Sequence, residues 1–242
     1  MREPSLMLVV PCYNEETRFD TSAFLKWVSA RPSRQLLFVD DGSTDRTAVV
    51  LDELSQQHAR ITVLHLSPNQ GKAAAVRAGM LQHSESDLVG FWDADLASPL
   101  REVDRLIEVL THNPGLQCAA GIRVMRLGAS IERSRIRHVL SRLFVTVSSA
   151  LLGLGAYDTQ CGAKLFRRNV VQPLFAEAFV SPWFFDLELY VRLRALSPDI
   201  ALTERVCELS LTEWKAMGGS SLRMWDFVKV PLQLSQIYRR YK

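Results

Sequence analysis

Short apolar runs alternate with amphipathic stretches over the first hundred residues of this chain. Four of the runs have the length and composition of buried strands: residues 6–10, 36–39, 61–66 and 88–92. Three stretches between them carry apolar residues at helical spacing: residues 21–30, 46–58 and 73–82. Because strands and helices alternate over short links, the pattern predicts parallel β-α-β units with helices on both faces of one sheet.

The pattern changes after Pro99, although no linker or internal repeat separates the two parts. Helices are predicted at residues 101–110 and 185–196. Strands are predicted near residues 117–122, 164–166 and 203–211. Residues 131–152 form a basic amphipathic stretch with helical spacing. We therefore interpret residues 1–242 as a single domain, with a first half at 1–98 and a second half at 99–242.

The composition is that of a globular protein, since 48% of the 242 residues are hydrophobic and 23% are charged. The net charge of +3 is too small to indicate a nucleic-acid partner. The four cysteines lie far apart with no C-x-x-C pair, which argues against a zinc site or a disulfide framework and fits a reducing cytosol. No signal peptide is visible, and the longest uncharged run, residues 143–157, is shorter than the roughly 20 apolar residues of a spanning helix. We therefore expect no membrane crossing.

Two carboxylates, Asp93 and Asp95, come directly after the fourth apolar run. Residues i and i+2 of a strand point to the same side, so both can reach one site at the carboxyl end of the sheet, where open α/β sheets bind ligands. Paired carboxylates suit a hard divalent cation that neutralises a diphosphate, although an isolated Asp-x-Asp is more often only solvated. Polar clusters also follow the other three runs, at residues 13–15, 40–41 and 69–72. Four clusters on one edge of a sheet predict a binding site.

These segments together resemble the family 2 glycosyltransferases of the GT-A fold. The matching motifs, in the order the family has them, are residues 9–16 (VVPCYNEE), 39–45 (VDDGSTD), 69–72 (NQGK) and 93–95 (DAD). Motifs of the second half resemble the dolichyl-phosphate β-glucosyltransferases and related polyprenyl-phosphate hexosyltransferases: residues 158–166 (DTQCGAKLF), 185–189 (FDLEL) and 214–220 (WKAMGGS). The resemblance, over about residues 6–220, implies an α/β fold with a Rossmann-like, mostly parallel central sheet and helices on both faces. It assigns the nucleotide sugar to the first half and the acceptor to the second.

The family pattern implies roles at matching positions of this chain. The pocket for the nucleotide base and ribose would be lined by Pro11, Tyr13, Glu15 and Asp40 or Asp41. Gly71 and Lys72 would lie near the base or the phosphates. Asp93 and Asp95 would bracket the sugar and the diphosphate, with Asp95 closer to a bound Mg²⁺ or Mn²⁺. Without the family, residues 41–45 are equally typical of a mere turn and helix cap, and Lys72 alone is more typical of a solvated lysine.

The reaction that the resemblance implies is an inverting transfer of a hexose from a nucleoside diphosphate sugar. The motif at residues 158–162 favours glucose, with UDP-glucose as the donor, while mannose and other hexoses remain open. A sugar hydroxyl acceptor must lose a proton, and Asp186 is the candidate general base for that step. A polyprenyl or dolichyl phosphate is already anionic, so with that acceptor Asp186 would orient the site instead.

A phosphate acceptor needs cationic partners, and the locally basic middle of the chain contains four candidates: Arg123, Arg133, Arg135 and Arg137. Gln160 and Trp214 are further acceptor-side candidates, although each also has an ordinary interpretation as a loop or core residue. Residues 131–152 are typical either of a helix on an anionic membrane surface or of a core helix with a basic edge.

We therefore expect an enzyme held peripherally at the cytoplasmic face of a membrane, with a nucleotide-sugar donor, a lipid-phosphate acceptor and no nucleic-acid partner. We expect no counterpart of the membrane anchors of related enzymes, so a membrane-protein partner or a homodimer remains open. Two other functions are also open: a soluble family 2 glycosyltransferase acting on a saccharide or other hydroxyl acceptor, and a catalytically silent nucleotide-sugar-binding subunit. The acidic set Asp93, Asp95 and Asp186 argues against the silent subunit.

Overall fold

A computed structural model describes residues 3–82, 85–125, 127–132, 153–182, 184–215 and 226–241 of the chain. In chain order its strands are β1 (Leu6–Cys12), β2 (Arg34–Asp40), β3 (Ile61–His65), β4 (Leu88–Trp92), β5 (Cys118–Ile122), β6 (Ser130–Glu132), β7 (Ala163–Arg167), β8 (Val206–Ser210) and β9 (Glu213–Lys215). Seven of these form one sheet in the order β3-β2-β1-β4-β7-β5-β8, and β6 pairs with β9 in a separate two-stranded sheet. Strand β7 is antiparallel to β4 and β5, whereas the other pairs of the large sheet are parallel. The prediction of a mostly parallel central sheet is confirmed.

Helices cover both faces of this sheet. In chain order they are α1 (Thr21–Ser29), α2 (Thr47–Gln57), α3 (Lys72–Leu81), α4 (Arg101–His112), α5 (Arg168–Phe175), α6 (Phe185–Ala195), α7 (Leu202–Arg205) and α8 (Asp226–Tyr241). Successive residues of β1 enter different apolar clusters, since Met7 and Val9 join one and Leu8 and Val10 join the other. The first cluster includes residues of α3, α5, α6 and α8, and the second includes residues of α1, α2 and α4. Burial on both faces explains why the strands are continuous apolar runs.

The predicted elements of the first half are confirmed, and the predicted strand at residues 88–92 coincides with β4. The predicted strand at residues 203–211 is wrong at its start, because Leu202–Arg205 forms the short helix α7 and pairing with β5 begins at Val206. Helix α5 was not predicted, since only three polar residues and no Gly or Pro separate its apolar positions from those of β7.

The basic stretch at residues 131–152 is not helical at its first residue. Ile131 pairs with Trp214 in the β6–β9 ladder, which local periodicity cannot reveal because the partner strand lies far along the chain. The remainder, residues 133–152, lies outside the described residues. Within the described residues, no helix combines the length and apolar character needed to span a bilayer.

Candidate active site at the carboxyl edge of the sheet

Strands β1, β2 and β4 are parallel neighbours, so the polar residues that follow them meet at one edge of the sheet. Helix α3 begins at the same edge, where Lys72 Nζ lies 2.5 Å from Asp93 Oδ1. Asn14 bridges the first two loops, accepting a hydrogen bond from the Thr44 backbone N–H at 2.8 Å. The structure therefore brings together the four clusters that the sequence placed at strand ends.

Asp93 is held at this edge by the charge of Lys72 and by the Gly162 backbone. Burial opposes its ionisation, but Lys72, together with Arg123 and Lys164, holds its pKa below the ordinary value. A β-carbon added at Gly162 would lie 2.1 Å from Asp93 Oδ2, and the Asp93 backbone N–H donates to the Gly162 carbonyl at 3.1 Å. The carboxylate thus packs directly on the Gly162 backbone, and a side chain at this position would force Asp93 to move.

Asp95 is half-buried beside Asp93, and its Oδ1 accepts a hydrogen bond from the Ala97 backbone N–H at 3.0 Å. Burial, and next the negative charge of Asp93, raise the pKa of Asp95 above the ordinary aspartate value. A bound cation would relieve both effects. Among the residues that the structure describes, no group of three or more His, Cys, Asp or Glu side chains is arranged to hold a metal ion. Two carboxylates nevertheless fit Mg²⁺ or Mn²⁺, because such ions are commonly held by one or two carboxylates together with substrate phosphates.

The residues predicted to line the base and ribose pocket differ in exposure. Pro11 is buried within β1, whereas Tyr13, just after the end of that strand, is 46% exposed. Glu15 is buried: its backbone N–H donates to Thr47 Oγ1 at 2.8 Å, and its carboxylate is paired with Arg18. Sequence analysis did not single out Arg18, although the Glu-x-x-Arg spacing was a usable signal for a local ion pair.

Asp40 and Asp41 are both buried and organise the loops of this edge. Asp41 accepts hydrogen bonds from the backbone N–H groups of Gln70 and Gly71, at 2.8 and 2.7 Å, and from Asn69 Nδ2 at 3.0 Å. It thereby fixes the turn at Gly71, whose φ of +88° favours glycine. The role of Asp41 or Asp40 in reading the base stays a prediction.

Asp40 also pairs with a histidine at the rim of the edge. His65 Nδ1 lies 3.1 Å from Asp40 Oδ2, and His65 Nε2 lies 3.0 Å from Asp52 Oδ1. Burial would lower the pKa of the imidazole, but the hydrogen bonds and charges of the two carboxylates outweigh it and raise the pKa above its ordinary value of 6.5.

We expect His65 to make stability depend on pH in a defined direction. Since its pKa is higher in the folded than in the unfolded chain, protonated His65 stabilises the fold fully below about pH 6.5, and this contribution is lost as pH rises through the folded pKa. Urea unfolding should give a larger free energy of unfolding for the wild type than for His65→Gln, and this difference should shrink from about pH 5.5 to about pH 8.5. His112→Gln is the matched control, because His112 contacts the Glu108 carbonyl rather than a carboxylate. A margin that does not change with pH would contradict the assignment.

In the second half of the chain, Asp186 lies in the first turn of α6 and forms a buried ion pair with Lys164. Lys164 Nζ lies 2.6 Å from Asp186 Oδ1 and donates to the Cys161 carbonyl at 2.5 Å. The lysine side chain is fully buried and that of Asp186 is 6% exposed. Burial raises the pKa of Asp186 above its ordinary value, and Lys164 opposes that shift. Lys164, which strand β7 places here, was not singled out from the sequence.

Arg123 is held by Asp158 rather than facing solvent. Its Nε and Nη2 donate to the two oxygens of Asp158, each at 2.8 Å, and its guanidinium lies 5.5 Å from the centre of the Trp214 ring. Burial opposes the charge, but Asp158 raises the pKa of Arg123. Glu208 supports the loop by accepting from the Asp158 backbone N–H at 3.1 Å.

The other predicted acceptor residues are only partly placed. Gln160 and Trp214 are half-buried, and both lie on segments adjoining the Asp158 loop or Arg123. Arg133, Arg135 and Arg137 lie outside the described residues. Asp158 and Glu208 were missed by the sequence reasoning, although Asp158 opens the motif at residues 158–166 and was therefore available as a signal.

Comparisons with known proteins connect this geometry to a family. The sequence profile of glycosyl transferase family 2 matches residues 7–175. A dolichyl-phosphate beta-glucosyltransferase of Trichomonas vaginalis is 32% identical over 97% of this chain and 73% of its own length. The dolichyl-phosphate beta-glucosyltransferases of Saccharomyces cerevisiae and Homo sapiens are 29% and 31% identical, each over 98% of this chain and 75% of their own length.

Solved structures extend the similarity to the whole fold. Glucosyl-3-phosphoglycerate synthase from Mycobacterium tuberculosis, in complex with Mn²⁺, UDP-glucose and phosphoglyceric acid, has a TM-score of 0.71 at 16% identity, covering 98% of this chain and 79% of that one. The same enzyme in complex with UDP has a TM-score of 0.69 at 17% identity, covering 97% of this chain and 80% of that one. The predicted GT-A architecture is confirmed.

Proposed function

The chain belongs to glycosyl transferase family 2, and from that premise we propose that it transfers glucose from UDP-glucose to dolichyl phosphate or a related polyprenyl phosphate, with inversion at the anomeric carbon. The observation that carries the proposal is the similarity to dolichyl-phosphate beta-glucosyltransferases over almost the entire chain, through both the donor and the acceptor segments. The organisation of the carboxyl edge supports it residue by residue.

The donor would bind to the first half, residues 1–98. The loop that follows β1 carries Tyr13 and Glu15, and Asp40 and Asp41 lie at the end of β2. Gly71, whose N–H donates to Asp41, directly precedes α3. A buried carboxylate can accept the imide N–H of uracil, and the exposed ring of Tyr13 offers a surface for the base. Lys72, at the start of α3, adds a positive charge for the phosphates.

A divalent cation would be held by Asp95 and, beside it, Asp93. The close pair of oxygen donors and the raised pKa of Asp95 fit such an ion. When bound, Mg²⁺ or Mn²⁺ supplies positive charge that offsets the charge gained by the leaving diphosphate. Lys72, whose Nζ lies 2.5 Å from Asp93 Oδ1, favours the ionised form of that carboxylate.

The acceptor step would form one bond and break one. An acceptor phosphate oxygen attacks the anomeric carbon as the bond from that carbon to the diphosphate oxygen breaks, so that the electron pair leaves with UDP. Because the phosphate is already anionic, no general base is required. The buried Asp186, paired with Lys164 and only 6% exposed, fits an orienting role better than proton removal from a bulky acceptor.

The acceptor would meet the second half, residues 99–242. Arg123 and Trp214 lie beside one another on this side of the sheet, next to the loop that carries Gln160. Arg133, Arg135 and Arg137 add further candidate charges from the sequence. We place the enzyme peripherally at the cytoplasmic face of a membrane, because a lipid phosphate presents its headgroup at such a surface and basic segments are attracted to anionic lipid.

A radiolabel transfer assay tests the proposed function. The purified chain is incubated with Mn²⁺, dolichyl phosphate in detergent, a soluble oligosaccharide and one labelled donor: UDP-glucose, GDP-mannose or UDP-N-acetylglucosamine. We expect label from UDP-glucose to enter the organic phase, in a glycolipid from which mild acid releases the labelled sugar. Much less label should be transferred from the other two donors. Label that enters only a water-soluble saccharide would favour the hydroxyl acceptor. Donor binding without transfer or hydrolysis would favour the silent subunit.

A further inference from the structure

The guanidinium of Arg18 is half-buried beside the proposed donor site. Its Nε and Nη2 both donate to the Glu15 carboxylate, with Nη2 lying 2.6 Å from Oε1. The side chain of Arg18 is 32% exposed and that of Glu15 is 10% exposed. The pair therefore presents its cationic end outward and its anionic end inward.

A tight turn fixes the position of Arg18. The backbone N–H groups of Arg18 and Phe19 both donate to the Glu15 carbonyl at 3.0 Å. The Phe19 ring stacks on Phe24 at 5.0 Å and meets the edge of Phe38 at 5.3 Å, so the turn is packed onto the hydrophobic core. A cation on such a support loses little freedom when it binds a ligand.

The turn lies next to the metal-binding carboxylates. Strands β1 and β4 are hydrogen-bonded neighbours, so the loop after β1 lies beside the loop after β4 that carries Asp93 and Asp95. Arg18 interacts electrostatically with both of these carboxylates, and so does Glu15. Lys72 approaches Asp93 from the start of α3. The carboxylate pair thus has one cation on the β1 loop and another on α3.

We propose that Arg18 binds the diphosphate of the nucleotide sugar from the β1 side, with Glu15 holding its guanidinium in position, an inference that rests on the proposed function. A guanidinium is a planar fork of N–H donors that matches the oxygens of carboxylates and phosphates, so the chemistry that pairs Arg18 with Glu15 also suits a diphosphate. Glu15 then has two tasks, since it is also a candidate for the ribose pocket. The diphosphate would then lie between two cationic side chains, Arg18 and Lys72.

Binding measurements with UDP and with uridine separate this role from a purely structural ion pair. With Mn²⁺ present, Arg18→Ala should weaken UDP binding by roughly 10- to 100-fold, the range expected for a lost hydrogen bond between charged groups. Its affinity for uridine, which lacks phosphate, should match that of the wild type. Arg18→Lys should be intermediate, because lysine keeps the charge without the planar fork. Calorimetry measures the UDP dissociation constant, and ligand-observed NMR measures that of uridine.

The matched control is Arg31→Ala. Arg31 forms an exposed ion pair with Glu3, in which Nε lies 3.5 Å from Oε1. It comes before β2, away from the carboxyl edge of the sheet. Its UDP affinity should equal that of the wild type. Arg18→Gln keeps a hydrogen-bond donor for Glu15 and removes the charge, so it replaces the alanine variant if that variant fails to fold. It should show the same selective loss of UDP binding.

Three results would overturn the inference, and the third would also overturn the proposed function. Unchanged UDP affinity in folded Arg18→Ala or Arg18→Gln would show that Arg18 does not touch the diphosphate. An equal loss for uridine and UDP would show that Arg18 acts only by shaping the Glu15 pocket. A wild-type chain that does not bind UDP would overturn the proposed function together with this inference.

Discussion

Asp95→Asn should lower the turnover number on the order of 100- to 1,000-fold, the effect expected when one electrostatic stabiliser of a transition state is removed. An amide is a poor ligand for a hard cation, so the leaving diphosphate would lose the positive charge that the metal ion supplies. The fold should survive, because the asparagine Oδ1 can still accept from the Ala97 backbone N–H. Stability should even rise slightly, since burial and repulsion from Asp93 raise the pKa of the native Asp95 carboxyl.

Steady-state transfer assays and thermal unfolding of the same preparations check this expectation. Asp199→Asn makes the same substitution at an exposed position near the end of α6 and should leave both measurements unchanged. Excess EDTA should silence the wild type, and Mn²⁺ or Mg²⁺ should restore it. Full activity in EDTA, or a folded Asp95→Asn with normal turnover, would remove Asp95 from the metal site.

Lys164→Met should lower the free energy of unfolding by about 3–5 kcal/mol, because it leaves the buried carboxylate of Asp186 without its cation. The Cys161 carbonyl loses its lysine donor in the same variant. The deficit should shrink as pH falls, since protonation of Asp186 removes the unpaired charge. Denaturant unfolding at several pH values measures both effects.

A double variant and an exposed pair test the explanation. Lys164→Met combined with Asp186→Leu replaces both partners with apolar groups, and it should recover much of the lost stability although activity is lost. Arg168→Met removes one partner of the exposed Arg168–Glu85 pair and should cost less than about 1 kcal/mol. A Lys164→Met single variant as stable as the wild type would mean that Asp186 finds another partner or is neutral in the folded protein.

The second half of the chain shows where prediction from sequence was no longer sufficient. The motif at residues 158–166 pointed to this region through its resemblance to a family, but not to the partners within it. Arg123 and Asp158 are 35 residues apart, and Lys164 and Asp186 are 22 residues apart. No local periodicity encodes such a pair, because it exists only once β7 has entered the sheet between β4 and β5. The arginine expected to face a phosphate proves to be bound by a carboxylate of its own chain.

By itself the sequence determined the elements of the first half, the edge at which their polar ends meet, and the carboxylates of that edge. Those features follow from local information, since a strand buried on both faces must be an apolar run and its polar residues must come where it ends. The tertiary structure alone decided the antiparallel insertion of β7, the packing of Asp93 against Gly162 and the pairing of Lys164 with Asp186. These depend on which strands become neighbours, and that choice is made by burial of the whole sheet rather than by any one segment.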